Sequence, residues 1–490
     1  MPSPVLFQQR NPVYVNPKDL QAQMDGVTDD TAFITAALTA VSSLGGGIVI
    51  LTGIGAISAP LTVPTKVILA GLGPGTGLKA LSGFSGAQMV ALSGDFAGVQ
   101  DLQLIGGPNT TSSTNPVTRG IYITTAQYSH VKDVEFWYIN GYAVDSTATG
   151  GTANSGGVFE NLHIQHCASG INFLGLAASN NVGQQFLSNI HLQRIDSGDG
   201  LHIEDINDIH VVNINGALDV GAGNTTGSMI NVVGNCASIY FSNVDVGVTN
   251  GTAASDTVTV KNNANGTPNS VVFEGGIIQA GLRGFNASQG TNIILSGIKI
   301  SGNQTHGVRT TATVGPLLIT HCIFSSNGQT AAASNYEINA TSSGLIDIDH
   351  CLFTTAQGTG TGQVKAAIHF NTGTCYCRDN SFQGAGFTAA LVSDSTIPNI
   401  MKGNAGYNPI GHAVAQPAVP ASTVIATNTS GVDCTVHILA GTLTLVNVGG
   451  SSVGVTAAAP AGSVHSVRVP AGQTIAITYT AAPTWQWFGD

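Results

Sequence analysis

The sequence predicts an all-β protein whose main body is a parallel β-helix. Three observations predict it: a short strand headed by a small residue recurs along the chain, a second family of alternating strands lies between these heads, and the composition disfavours helix. The chain has 63 glycines and 42% hydrophobic residues, with only 8% charged residues. This composition suits many short strands joined by tight turns. Helix is therefore expected to be scarce.

The recurring strand starts at a small residue and then alternates between apolar and polar side chains, as in Gly-Leu-His-Ile-Glu from Gly200. Successive heads lie between 21 residues (Gly120 to Gly141) and 32 residues (Asn335 to Ala367) apart. That spacing fits one solenoid turn with loops of variable length. The predicted heads are Gly120, Gly141, Gly170, Gly200, Gly227, Thr257, Gly284, Gly307, Asn335, Ala367 and Ala390.

The second strand family fills the space between the heads. Segments such as VKDVEF, FENLHI, LSNIHL and LLITHCIF alternate in polarity and are broken by Asn, Asp, His or Gly, residues that favour bends. Two or three strands per turn then describe a solenoid over residues 48 to 408 or so. The predicted core includes Ile121, Ile123, Ile171, Phe173, Leu201 and Ile203.

Two further elements flank this repeat. Apolar residues from Phe33 to Val41 have helical spacing and follow the cap-capable Thr28 and Asp29, so a single amphipathic helix is expected there. After the Pro/Ala-rich AVAQPAVPAST, alternating strands predict a small β-sandwich-like domain, in which Trp485 and Trp487 serve the core, a sugar or a subunit contact. The expected domains are an attachment segment at 1–24, the capping helix and β-helix at 25–411, and the linker and C-terminal domain at 412–490.

Charge and hydropathy disfavour several classes of partner. The net charge is −11 and the chain has 15 basic residues without a basic cluster, so nucleic acid and anionic membranes are disfavoured. No apolar run is long enough to span a bilayer, and the N-terminus lacks the pattern of a secretory signal. We therefore expect no membrane insertion and synthesis in a cytoplasm.

The seven cysteines form no disulfide framework. His-Cys pairs at 166/167, 321/322 and 350/351 suggest zinc by residue type. They fall at the same bend of different turns, which favours stacked ladders instead. Cys375 and Cys377 are interpreted as free thiols, and neither a metal nor a cofactor is expected.

The N-terminal motifs carry a family resemblance. DGVTDDTAFITAAL, GGGIVIL and PLTVPTKVILAGLG, followed by the solenoid pattern, resemble the pectate-lyase-like superfamily, in which a helix caps a right-handed parallel β-helix. Bacteriophage tailspikes and tail fibres are similar to this arrangement. The resemblance covers roughly residues 20 to 408 and implies the fold.

Two departures separate the chain from the enzymes of that superfamily. LTGIGAIS stands where a PxGxY stretch is usual, and Gly198-Asp199-Gly200 stands where hydrolases of the polygalacturonase type show Gly-Asp-Asp. The resemblance therefore does not establish catalysis.

Strand alternation selects candidate site residues, because the second and fourth residues after each head point outward. In the stretch GDGLHIED, this places His202 and Glu204 outside, near Asp199. Asp145 is expected at the same offset as Glu204 two turns away, near the upper end of the separation for inverting glycoside hydrolysis. Glu204 is then the candidate general acid, Asp145 or Asp199 the base, and His202 a tuning residue. The alternative is a solvated, bend-capping cluster.

The other outward residues form a ribbon that could hold a polymer. Arg309, Glu337 and His369 are expected on successive turns as an ion-pair ladder, or as a contact for an acidic sugar. The candidate substrate-binding residues are Tyr122, Asn172, Asn231, Arg309, Glu337 and His369.

Together these features favour a virion tailspike or tail fibre that contacts a cell-surface polysaccharide and depolymerises it by glycoside hydrolysis. Its expected partners are the cell-surface glycan, other tail or baseplate proteins through the N-terminus, and two further copies in a homotrimer. A non-enzymatic adhesion fibre and a free polysaccharide lyase or hydrolase are the alternatives.

Overall fold

The computed structural model describes residues 13–148, 154–175, 182–219, 221, 224–249, 255–311, 313–330, 335–341, 344–354, 366–370, 373–383, 392–394, 400–404, 416–430, 432–439, 441–453 and 464–489. The chain divides into two compact units, Met1–Asn286 and Ala287–Asp490. Parallel strands stack within each unit, and the described residues form a β-solenoid of about 11 turns. The predicted fold class, a parallel β-helix with one α-helix and C-terminal antiparallel sheets, is confirmed.

The α-helix of the first unit spans Thr31–Ser43. Its predicted apolar face is buried except for Phe33, which is half-buried. Asp29 rather than Thr28 supports the first turn, because the Thr31 amide donates to Asp29 Oδ1 at 3.0 Å. Upstream, Tyr14–Val15 pairs in parallel with residues 48–49, so this part of the predicted attachment segment is a strand of the solenoid. Residues 1–12 of that segment lie outside the described residues.

We call the sheet that contains the predicted heads the short-strand sheet. Gly170 shows why small residues recur at its heads: a Cβ there would lie 2.1 Å from the Gly200 carbonyl oxygen. All six predicted core residues are at most 1% exposed. In the first unit its strands are Leu61–Val63, Gln88–Leu92, Arg119–Ile123, Tyr142–Thr147, Ser169–Leu174, Leu201–Glu204, Ile230–Val233 and Val258–Lys261, and Arg283–Ala287 lies at the unit boundary.

The register corrects two predicted heads in this unit. Ala143, not Gly141, lies opposite Gly120, and Met229, not Gly227, lies opposite Gly200. Both errors are two residues long. Because side chains alternate with a period of two, such a slip keeps Val144 and Ile230 on the inward face and is invisible to the hydrophobic pattern. Ala143 and Met229, which the earlier heads would place outside, are buried at the head station.

The second sheet of the first unit has longer strands, and we call it the long-strand sheet. Asn161, Asn189, Asn213 and Asn243 lie at its bends in the left-handed region, where Asn is favoured. Each donates its side-chain amide to the same station of the previous turn at 2.8–3.0 Å, which confirms the predicted bends. The strands are Tyr14–Val15, Asp25–Asp29, Gly47–Ile50, Ile54–Ile57, Val67–Ala70, Gly77–Ala80, Gly98–Ile105, His130–Trp137, Asn154–Ser155, Val158–Gln165, Val182–Ile195, Asn207–Asp219, Ala237–Thr249 and Asn269–Gln279.

The second unit begins with further solenoid turns. Its short strands are His306–Thr310, Tyr336–Ala340, Ala366–Phe370 and Val392–Asp394. Its other parallel strands are Thr291–Ser301, Leu317–Thr320, Ile323–Ser325, Leu345–Asp349, Leu352–Thr354, Thr374–Arg378, Ser381–Gln383 and Ile400–Lys402.

The chain ends in two antiparallel sheets. One contains Val464–Val469, Cys434–Leu439 and Thr484–Gly489; the other contains Ile425–Thr427, Thr474–Ala481, Thr442–Val448 and Ser451–Ser452. Trp485 and Trp487 belong to their hydrophobic core and are 3% and 1% exposed. The core interpretation of these tryptophans is the one the structure supports.

Candidate functional site

The GDGLHIED stretch leads from a bend into a short strand. Leu201–Glu204 is the strand, and its alternation buries Leu201 and Ile203 completely while His202 and Glu204 face outward. The outward pair is partly covered, with side chains 16% and 28% exposed. The predicted register of this strand is therefore confirmed.

His202 bridges two carboxylates. Its Nδ1 lies 2.7 Å from Asp199 Oδ2 and its Nε2 lies 3.0 Å from Glu204 Oε2. Burial alone would lower the pKa of His202, but these two acidic partners raise it to about 9. The imidazole is therefore charged at neutral pH, and both ring nitrogens donate.

Both carboxylates of this bridge are held ionised. Burial of most of the Asp199 side chain would raise its pKa, but the hydrogen bond from His202 and further bonds from the Asn231 amide and the Ser228 backbone hold this pKa below the usual range. The hydrogen bond from His202 also lowers the pKa of Glu204, whose other oxygen accepts from Asn263 at 2.9 Å. An ionised Glu204 does not suit the predicted role of proton donor.

Asp205 completes the cluster at the end of the strand. Its carboxylate accepts hydrogen bonds from the Asn235 amide nitrogen at 2.7 Å and from the Asn265 side chain at 2.6 Å. The acids of GDGLHIED are therefore saturated by neighbouring turns, as expected of groups that hold a bend together.

Asp145 does not occupy the predicted position. It pairs in register with Tyr122 and Asn172, and Asn172 pairs with His202, so Asp145 shares the column of His202 and not that of Glu204. The two-residue slip at Gly141 caused this error. The Asp145 carboxylate is 4% exposed and accepts from Arg119 Nε at 2.5 Å. This paired state leaves it poorly suited to activate water.

Tyr142 is a member of this region that the sequence analysis missed. Burial and the charges of Asp199, Asp145 and Glu204 raise the pKa of its hydroxyl to about 12. The phenol therefore remains a proton donor beside three carboxylates. Tyr142 is part of the repeat Gly-Tyr-Ala-Val-Asp, but the predicted head at Gly141 makes it the first residue of the strand and so directs its ring into the solenoid. The observed head is Ala143, and Tyr142 precedes it.

The three predicted binding residues of the first unit lie in one column. Tyr122, Asn172 and Asn231 occupy equivalent stations with Asp145 and His202 between them. The two asparagines are buried, at 6% and 7% exposure, and both donate to aspartates. Tyr122 is half-exposed and has the Arg119 guanidinium 4.5 Å above its ring.

The three predicted residues of the second unit do not form one ladder. Arg309 pairs with Asn339, and Asn339 pairs with His369, so these two predicted residues share a column two turns apart. Glu337 lies opposite Gly307 instead, at the head station. It is 1% exposed and accepts from Asn327, and burial raises its pKa to about 8. The predicted outward ion-pair ladder is wrong because the head was placed two residues too early, at Asn335.

The His-Cys pairs form stacks. His321 and His350 stack at 5.1 Å, while Cys322 and Cys351 behind them are buried. His321 and His350 lie opposite each other at one bend, but His166 lies opposite Tyr138 after the end of its strand, so the predicted common bend is confirmed only for the pairs at 321/322 and 350/351. Among the described residues, no group of three His, Cys, Asp or Glu side chains could hold a metal ion, and no helix has the length and hydropathy to cross a bilayer.

Comparison with known proteins identifies the fold. No protein-family model and no curated protein matches the chain. The N-terminal fragment of bacteriophage phi29 gene product 12 is 12% identical with a TM-score of 0.56, covering 80% of this chain and 70% of that chain. The A-module of Azotobacter vinelandii mannuronan C-5 epimerase AlgE6 is 16% identical with a TM-score of 0.50, covering 80% and 98%. The Dettilon tailspike protein is 14% identical with a TM-score of 0.46, covering 97% and 94%. At these identities the likeness shows the fold alone, which is a parallel β-helix.

Proposed function

We propose that the protein is a virion tailspike or tail fibre that binds a host cell-surface polysaccharide on the outer face of the short-strand sheet of its first unit. The observation that supports this proposal most is the polar column of Tyr122, Asp145, Asn172, His202 and Asn231 on that face. The Arg119 guanidinium lies over the Tyr122 ring, and charged His202 lies beside Glu204. Aromatic and charged groups in one surface strip suit sugar rings and their hydroxyls. A fold shared with a bacteriophage protein is consistent with this proposal.

Catalysis at the His202 cluster is the enzymatic version of this proposal. Glu204 is ionised and His202 carries a proton, so His202 in place of Glu204 would donate to the leaving oxygen, and Glu204 or Asp199 would act as the base. The saturation of these acids by hydrogen bonds favours the other version, a binding fibre in which the cluster orders the surface.

Glu204→Gln separates the two versions. The amide keeps the size of the side chain but removes the charge that faces His202. A catalytic cluster predicts that host envelope polysaccharide is still bound while reducing-end release falls about a hundredfold. A binding cluster predicts a weaker affinity in a glycan-binding assay and a much smaller change in turnover. Failure of the wild type to bind any host polysaccharide would contradict the proposed function.

We further propose that the chain acts as a homotrimer, anchored to tail or baseplate proteins through its N-terminus, and that the domain after residue 412 drives association. Deletion of residues 413–490 should then yield monomers or aggregates in light scattering. A truncated chain that remains a soluble trimer would assign trimerisation to the β-helix. Detection of the chain in purified virions separates a tail protein from a free lyase or hydrolase.

A further inference from the structure

Two cysteines of the second unit lie next to each other on adjacent turns of the solenoid. Ile323 pairs in register with Leu352 of the next turn, so the residues that precede them, Cys322 and Cys351, lie opposite each other at the bend. Both side chains are 1% exposed. A single buried thiol is usually an inert packing group, but two thiols in register can also react with each other.

Ring stacks before and after the cysteines fix the distance between these two turns. The imidazoles of His321 and His350 directly precede the cysteines and stack with centroids 5.1 Å apart. Two residues after the cysteines, the rings of Phe324 and Phe353 stack at 5.0 Å. The Cα atoms at the bend therefore have the spacing of paired strands, about 4.8 Å. This spacing is within the range of about 4.4–6.8 Å that a disulfide spans.

The two sulfur atoms have only weak partners in the backbone. The Cys322 thiol lies 3.4 Å from the Thr320 carbonyl oxygen, and the Cys351 thiol lies 3.3 Å from that of Asp349. Each thiol also lies 3.5 Å from a carbonyl oxygen of the preceding turn. Because S–H is a weak donor, little hydrogen bonding is lost when the thiol protons are removed.

The next two turns show what this bend position normally supplies. They have Asn380 and Asn404 at the station of the cysteines. The Cys351 backbone amide donates to Asn380 Oδ1 at 2.8 Å, and the Asn380 side chain donates to Asn404 Oδ1 at 3.0 Å. Asparagine therefore links successive turns by hydrogen bonds. A covalent bond between Cys322 and Cys351 gives their two turns a link of a different kind.

The two thiols also differ in acidity. A hydrogen bond between them lowers the pKa of Cys322 and raises that of Cys351. By contrast, burial raises the pKa of Cys167 and of Cys236 to about 12. Since the thiolate is the form that attacks an oxidant, Cys322 is the attacking thiol of the pair and Cys351 is the thiol that completes the bond.

We propose that Cys322 and Cys351 are an oxidation site at which a small peroxide, such as hydrogen peroxide, forms a disulfide between two adjacent turns. A small oxidant suits this bend because the thiols are almost completely covered. The two thiols stay reduced in a reducing cytoplasm and are oxidised outside it. The reaction is independent of polysaccharide binding and of the His202 cluster.

The oxidation proceeds in two balanced steps. The Cys322 thiolate attacks one peroxide oxygen, the O–O bond breaks, and Cys322 becomes a sulfenic acid while hydroxide leaves and takes up the thiol proton. The Cys351 sulfur then attacks the sulfenic sulfur, the S–O bond breaks, and its proton goes to the departing oxygen. Two thiols and one hydrogen peroxide thus give one disulfide and two waters, and two electrons pass from sulfur to the peroxide.

The disulfide closes one solenoid turn. Because each turn of a solenoid contacts only its neighbours, a covalent bond between two turns opposes their separation and restricts the unfolded chain. We expect the oxidised protein to have a Tm about 2–4 °C above that of the reduced protein. Circular dichroism melting curves measure this shift.

The test treats the full-length protein with hydrogen peroxide and then counts thiols in denaturant with dithiobis-nitrobenzoate. The count should fall by two from the seven cysteines of the chain. Peptide mass spectrometry should find the peptides that contain Cys322 and Cys351 joined. Dithiothreitol should restore all the thiols and cancel the rise in Tm.

Two variants separate the paired thiols from an unpaired one. Cys351→Ala keeps the attacking thiol but removes its partner, so dimedone, which traps sulfenic acids, should label Cys322 in this variant and not in the parent protein. Cys236→Ala is the matched control, because this buried cysteine has Ile206 and Pro268 opposite it on the adjacent turns. It should form the disulfide at the parent rate. Circular dichroism checks that both variants are folded.

Three results would overturn this inference. They are a full count of thiols after peroxide treatment, a loss of thiols that dithiothreitol does not reverse, and a disulfide that joins other cysteines or two different chains. The proposed function is unaffected by all three, since it depends on the binding of host polysaccharide, which is measured separately.

Discussion

Asp196 and Asp199 are the same residue type three positions apart, yet the fold gives them opposite chemistry. Asp199 accepts hydrogen bonds from His202, Asn231 and the Ser228 backbone, and its pKa is held low. Asp196 accepts one bond from Ser112, keeps an unpaired buried oxygen, and has a raised pKa. The neighbours supplied by adjacent turns decide which form of a carboxyl group the solenoid stabilises.

This difference separates groups that hold the fold from groups that are free to react. A saturated, ionised carboxylate beside a charged imidazole is a stabilising network, since each partner neutralises the other. An incompletely paired acid contributes less to stability, and burial shifts its pKa upward. The stability of variants should therefore distinguish the two sites before any substrate is known.

The largest expected effect comes from Asp199→Asn. The amide cannot compensate the buried charge of His202, and breaking a buried ion pair costs about 3–5 kcal/mol of unfolding free energy. Urea titration followed by circular dichroism measures this loss. The matched variant Asp196→Asn should lose less than about 1 kcal/mol, because burial already disfavours the ionised form of Asp196. Equal losses in the two variants would remove the distinction between the sites.

The pH dependence of His202 gives a second test. Its folded pKa is about 9 against an ordinary value of 6.5. A raised pKa stabilises the fold fully below about pH 6.5 and loses this contribution as pH rises through about 9, a total of roughly 3 kcal/mol. Urea titrations at several pH values should show this loss in the parent protein and not in His202→Gln. A His202→Gln variant with the same alkaline loss would contradict the charged bridge.

Glu337 extends the comparison to the second unit, with a smaller effect. It resembles Asp196 in its raised pKa, about 8 against an ordinary 4.5, but it is completely enclosed. The fold therefore favours its acid form, and its stabilising contribution declines as pH rises from about 4.5 through about 8. Glu337→Gln should raise the unfolding free energy at pH 7 by about 1–3 kcal/mol.

The effect of Glu337→Gln should be smallest near pH 5 and larger near pH 9, which urea titration at the two pH values measures. Because Glu337 and His202 titrate in overlapping ranges, the His202 experiment is best made in the Glu337→Gln background. A variant that is less stable than the parent at every pH would show that the side chain serves packing and not proton balance.

The solenoid itself was predictable from the sequence because its core residues alternate strictly. Leu201 and Ile203 were placed correctly by that pattern, as were the bends at asparagine. The station along the strand was not predictable in every turn, since a two-residue slip preserves the inward face. Because of this slip, Asp145 was predicted in the column of Glu204 but lies in that of His202. For the same reason Glu337 was predicted to be exposed but is buried at the head station.

The cleft lined by Ser112, His166 and Asp196 was missed for a different reason. Ser112 begins the 3-10 helix Ser112–Thr114, and His166 and Asp196 directly follow the ends of two neighbouring strands, so all three lie outside the strands whose alternation selects candidate residues. The bridging hydrogen bond from Ser112 spans 84 positions, and no local pattern reports such a contact. The His-Cys pairing at residues 166 and 167 marked the correct bend, but it indicated a stack of rings and not the acid beside it.

The most direct test is a crystal structure of the protein with a bound oligosaccharide prepared from host envelope polysaccharide. We predict sugar rings along the outer face of the short-strand sheet, with one ring against Tyr122 and sugar hydroxyls within hydrogen-bond distance of His202 or Glu204. An oligosaccharide bound elsewhere, with Tyr122, His202 and Glu204 all free of sugar contacts, would contradict the proposed function.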